Sequence, residues 1–170
     1  DLSFGNGVTD VPFSISFAIN FANLTGAKII VDNANGASAN REYRIYYNAN
    51  NFYFNCFTNV GANQITVQCP FVISASHWVH LTCTYDGSGS QNGMEIYIDG
   101  ILTTPLRTTA GGYVAMNNLG EDKIFGKSTQ NTTQSVNGKM DCIAFWDSEL
   151  TIGEVRLLAQ QELNGIDINP

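Results

Sequence analysis

HWVHLTCTYDGSGSQNGMEIYIDGIL, residues 77–102, is the stretch that decides how this chain folds. In its first half Val79, Leu81, Cys83 and Tyr85 alternate with polar residues, the period of a strand with one buried face. A polar loop, GSGSQNG, separates it from a second extended run, MEIYI, which ends in Asp99-Gly100. Asp-Gly between two apolar runs is a strong signal for a two-residue type I′ hairpin turn, because both central positions need positive φ. The turn accounts for Asp99 fully. A catalytic reading would need Asp99 to work with Glu95, and two positions four apart on one strand are separated by about 13 Å. Glycoside hydrolysis needs two carboxyl groups about 5–9 Å apart. This stretch therefore predicts antiparallel strands and no carboxylate pair.

The rest of the chain repeats the pattern. FSISFAINF (13–21) places Phe13, Ile15, Phe17, Ile19 and Phe21 on one face. AKIIVDN, EYRIYYN, NFYFNCF, QITVQC, ILTTPL, KIFGKS and KMDCIAFWD follow as short strand candidates separated by turn residues, and Pro105 suits an edge. One segment breaks the period. In LTIGEVRLLAQQEL, Thr151 and Glu154 form a capping box, and Val155, Leu158 and Leu163 an apolar stripe. A single short helix is expected there, ended by Asn164-Gly165. The expected fold class is all-β: a two-sheet antiparallel β-sandwich with one short helix after the last strand, the domain occupying residues 1–163 and a linker 164–170.

Composition narrows the function. The 170 residues carry a net charge of -7, are 14% charged and 44% hydrophobic. Nucleic acid and anionic membrane surfaces reward Lys and Arg clusters, so neither is an expected partner. No apolar run approaches the roughly 20 residues of a membrane span, and none reads as a signal peptide. Strand-like sequence from Leu2 onward suggests a domain cut from a longer polypeptide. Four cysteines are too few for a disulfide framework. Cys56 and Cys69 flank a turn and could sit opposite each other. Cys83 points inward with Val79 and Leu81, whereas Cys142, alternating with Asp141, Ile143 and Phe145, points outward. Free thiols are expected. His77 and His80 flank Trp78 without a nucleophile turn such as G-x-S-x-G, so Trp78 is expected to pack where the strand begins and His80 to point outward. Asn23-Leu-Thr and Asn131-Thr-Thr match glycosylation acceptors, a weak signal in so Asn-rich a chain.

WVHLTCTYDGSG…MEIYIDGIL resembles the W-x-H-h-x-h-T-Y-D-G…h-Y-h-D-G-h pattern of laminin-G-like, concanavalin A-like jelly-roll domains, where h is an apolar residue. GKMDCIAFWDSELTIGEVRLL is similar to that superfamily's closing strand and helix, and LSFGNGVTDVPFSISF to the opening turn and strand of versions carried by phage virion proteins. The resemblance implies a lectin-like jelly roll. It also implies a structural calcium ion where the first turn meets the closing strand, which would fall to Asn6, Asp10 and Asp141. Asp141 shares parity with Ile143 and Phe145, so it is expected to face inward, where a cation would offset its burial.

The aromatic stretch EYRIYYNANNFYFNCF supplies rings beside amides, the chemistry of a sugar site: Tyr43, Tyr46, Tyr47, Tyr53, Asn48 and Asn55 are the candidate ligand-binding residues. Alternation must send about half of the rings into the core. The expected function is a non-catalytic module that binds a surface glycan or host-surface receptor, as part of a virion attachment or appendage protein. The alternative is a structural decoration domain contacting neighbouring virion subunits or another extracellular assembly. Either role places it on a virion or extracellular surface.

Overall fold

The computed structural model describes residues 2–34, 41–58, 63–128 and 131–167. Eleven strands are defined there: β1 (Phe13–Phe21), β2 (Lys28–Ala34), β3 (Arg41–Asn48), β4 (Asn51–Phe57), β5 (Gln64–Pro70), β6 (Trp78–Tyr85), β7 (Met94–Ile98), β8 (Ile101–Leu102), β9 (Leu106–Ala110), β10 (Lys123–Phe125) and β11 (Gly138–Trp146). They form a five-stranded sheet ordered β11-β1-β6-β7-β8 and a six-stranded sheet ordered β10-β2-β3-β4-β5-β9. Every strand pairing is antiparallel. The expected sandwich is what the chain forms. ILTTPL is not one strand, however: the chain leaves the five-stranded sheet after Leu102 and enters the other at Leu106, with Pro105 in the crossing.

The inner faces follow the alternation. Phe13, Ile15, Phe17, Ile19 and Phe21 of β1, with Leu81, Cys83 and Tyr85 of β6, oppose Tyr43, Ile45 and Tyr47 of β3 and Phe52, Phe54 and Cys56 of β4 in one core. Phe4 closes one end, its ring stacked on Phe13 with centroids 4.2 Å apart. Full burial of each such ring contributes about 1.5–3 kcal/mol.

The outer face of the five-stranded sheet is covered by helix α1 (Ile152–Asp167). Thr151 caps it reciprocally: its amide donates to Glu154 Oε2 at 2.8 Å, and the Glu154 amide donates to Thr151 Oγ1 at 3.4 Å. Val155 and Leu150 pack with Tyr97, and Leu158 and Trp146 pack against that cluster. Two expectations change here. The helix runs through Asn164-Gly165 to Asp167, because i→i+4 bonding carries on past a glycine when nothing forces the chain to turn away. His80 does leave the inner face, but α1 buries it completely.

All four cysteines are free thiols. Cys56 and Cys69 are not opposite: Cys56 pairs with Ile65 and Cys69 with Phe52, about 13 Å apart along the sheet. Cys142 has φ 53 at a register shift in β11, a bulge. The inserted residue reverses the parity on one side of it, so Met140 and Phe145 both pack against the core. Asp141 is consequently exposed, where strict alternation would turn it inward.

Candidate functional site

Asp99 settles as a turn residue. Its φ is 51 and that of Gly100 is 77, the two positive values a type I′ turn requires. The Asp99 amide donates to His80 O at 2.8 Å, and Asp99 Oδ1 accepts from the His80 amide at 2.9 Å. The turn is thus tied to β6. Glu95 is also engaged, accepting from Arg107 Nη2 at 2.7 Å and joining β7 to β9 across the sandwich edge.

The three residues proposed for calcium do not converge. Asn6 Oδ1 accepts from the amides of Val8 and Thr9 and so closes its own turn. Asp10 Oδ2 accepts from the hydroxyls of Tyr85 at 2.7 Å and Tyr113 at 2.6 Å, while Oδ1 accepts from the Met116 amide at 2.8 Å. Burial raises the Asp10 pKa, and those three bonds oppose the rise. Asp141 lies opposite Ala18, well along β1 from Phe13, where the Asp10 end begins. The run from Phe13 to Ala18 spans about 17 Å, whereas two oxygens on one calcium lie within about 5 Å of each other. These residues do not fit a shared ion. Among the described residues no group of three or more His, Cys, Asp or Glu comes together for a metal.

The aromatic stretch divides by parity. Tyr43 and Tyr47 turn into the core, 0% and 1% exposed. Their hydroxyls donate to Leu2 O and Phe71 O, at 2.9 and 3.2 Å. Asn55 faces the other way but is buried, its Nδ2 donating to Thr66 Oγ1 at 2.6 Å. Those three are structural. Tyr46, Asn48 and Tyr53 remain on the outer face of the six-stranded sheet, each half-buried.

The register makes them a platform. Tyr46 pairs with Tyr53, and Tyr53 with Gln68 of β5. The two rings are parallel, 4.4 Å between centroids and 1° between planes. Asn48 pairs with Asn51, whose Oδ1 accepts from Gln68 Nε2 at 3.0 Å. Burial, then the neighbouring Tyr53, pushes the Tyr46 hydroxyl up to about 12, so it stays a donor at neutral pH. On its other side Arg44 forks onto Asp32, with Nε and Nη2 at 2.9 and 2.6 Å from the two carboxylate oxygens. Asn51 and Gln68 were missed in the sequence because only the β4–β5 register brings them beside the rings.

Two packed antiparallel sheets with a ring-and-amide surface on one outer face describe a lectin-like β-sandwich. The chain belongs to the concanavalin A-like lectin/glucanases superfamily, whose Laminin_G_3 family model matches residues 2–156. No curated protein sequence matches it. Among solved structures, it is similar to the binding domain of Paraclostridial Mosquitocidal Protein 1, at 18% identity and a TM-score of 0.68 over 91% of this chain and 38% of that one. It is similar to the botulinum neurotoxin type G receptor binding domain, at 16% identity and 0.61 over 90% and 38%. It is also similar to the binding domain of botulinum neurotoxin DC in complex with SialylT, at 20% identity and 0.63 over 89% and 35%. The chain spans well under half of each of these, and the likeness is one of fold.

Proposed function

We propose that the chain is a non-catalytic recognition module that holds a surface glycan on the outer face of its six-stranded sheet. The observation that carries this reading is the stacked, half-exposed Tyr46–Tyr53 pair bordered by Asn48, Asn51 and Gln68. A sugar ring offers C–H groups on its faces and hydroxyls at its edge, and aromatic planes beside amides meet both. Membership of a lectin-containing superfamily and likeness to receptor binding domains support the reading. The two carboxylates of the β7 hairpin, Glu95 and Asp99, are engaged in structural bonds.

A shallow site of millimolar affinity supplies only about 4 kcal/mol, so the module works by repetition, as in a virion fibre or appendage exposed on an extracellular surface. The test is a glycan array probed with multivalently displayed wild type and Tyr53→Ala, in calcium and then in EDTA. Specific binding that falls at least tenfold in Tyr53→Ala is the expected result. Loss in EDTA would bring in a calcium ion held by ligands other than Asn6, Asp10 and Asp141 as a set. Silence from a folded sample would refute glycan recognition and favour a decoration module built on protein contacts.

A further inference from the structure

A cavity of about 500 Å³ opens where the two sheets part at the β8 edge, lined chiefly by Cys69, Phe71, Ile98, Asp99, Ile101 and Leu102. We propose that it is a second ligand site, distinct from the tyrosine platform, taking a small amphiphilic cation: an aromatic or aliphatic body in the cavity and an ammonium group at Asp99.

The volume falls within the roughly 300–1,000 Å³ of small-ligand sites. The lining is mostly apolar, and two of its polar side chains are already engaged: Thr103 Oγ1 donates to Ile96 O at 2.7 Å, and Cys69 Sγ contacts Pro70 O at 3.6 Å. The body of a ligand therefore meets hydrocarbon, and it would cover Ile101 and Leu102, which are 70% and 43% exposed. Removing such apolar surface from water is what drives entry.

The charge preference comes from Asp99. It is exposed, and only one of its oxygens is taken up, by a backbone amide. Among the described residues no Lys, Arg or His pairs with it. Arg156 of α1 passes close to Gly100 without forming an ion pair with Asp99. An uncompensated carboxylate at the mouth of an apolar cavity, on a chain of net charge -7, attracts a cation and repels an anion. The positive-φ turn and its two bonds to His80 hold that carboxylate in place, so little ordering is required on binding.

The probe is tryptamine, followed by calorimetry and by amide shifts in residues 98–104, with tryptophol and indole-3-propionate as its neutral and anionic counterparts. Saturable binding of tryptamine is expected, about tenfold tighter than tryptophol, with the anion weakest. Asp99→Asn suits a type I′ turn and keeps the amide acceptor, so it folds while losing the charge. It should reduce tryptamine to the level of tryptophol and leave tryptophol unchanged. Ile101→Ser, at an exposed position, should weaken both. Tyr53→Ala should leave tryptamine binding intact, which separates this site from the glycan platform. No saturable binding at millimolar tryptamine, equal binding of the anion, or indifference to Asp99→Asn would each overturn the proposal.

Discussion

Asp10→Ala tests whether the opening turn is held by hydrogen bonds to a half-buried carboxylate. The substitution removes the acceptor for the Tyr85 and Tyr113 hydroxyls and for the Met116 amide. Tyr113 is half-buried, so water can replace what it loses, but Tyr85 and Met116 are fully buried. Tyr85 keeps an incoming bond from the Gly89 amide, at 2.7 Å, yet its own proton is left without an acceptor. Two buried unsatisfied donors cost about 1–3 kcal/mol each. Relief of the desolvated charge offsets part of this, leaving a net loss of about 2–4 kcal/mol at neutral pH. With a urea m-value of about 1–3 kcal/mol/M, the midpoint should fall by about 0.7–4 M. Equilibrium urea unfolding followed by the fluorescence of Trp78 and Trp146 measures it. Asp10→Asn, which keeps an acceptor for Met116, should lose about half as much. A midpoint for the alanine variant within about 0.3 M of wild type would refute the reasoning, as would an asparagine variant no better than alanine.

The same turn predicts that Gly5→Ala destabilises the protein by about 1–3 kcal/mol, since a Cβ there would sit 2.7 Å from Asp10 Oδ1 and inside contact distance of the Met116 carbonyl; a thermal melt unchanged from wild type would contradict the packing described. Beneath α1, His80 Nε2 lies 2.9 Å from Glu162 Oε2, with Asp141 and Cys142 facing Glu162 from β11 and Asp99 bonded to the His80 backbone. Burial lowers His80 from 6.5 to about 4, and burial together with Asp141 raises Glu162 from 4.5 to about 7. Glu162 therefore contributes stability below about 4.5 that is lost as pH rises through about 7, while the contribution of His80 is present above 6.5 and lost as pH falls through about 4. Melting temperatures should therefore form a plateau between about pH 4.5 and 6.5 and decline from there to about pH 7, and Glu162→Gln should abolish that decline. An identical decline in the variant would place its origin elsewhere.

The sequence by itself determined the strands and most of their faces. Period-two alternation in β1, β3, β4 and β6 is written residue by residue, so Phe13 to Phe21 could be assigned inward. Tyr43, Tyr46, Tyr47 and Tyr53 stood together as ligand candidates, and only the packed sheets divide them into two core and two surface rings. Asp99-Gly100 and the Thr151–Glu154 cap were equally legible, because turns and caps are local chemistry. The bulge at Cys142 was not, for nothing in KMDCIAFWD marks the extra residue that turns Asp141 outward; the pairing with β1 imposes it. Nor could the sequence show α1 lying over His80, the meeting of Asp10 with tyrosines at 85 and 113, or Gln68 beside Tyr53. Those contacts join residues far apart in the chain. Strand order and sheet packing decide them, and a hydrophobic pattern specifies which face a residue takes but not which distant residue it will meet there.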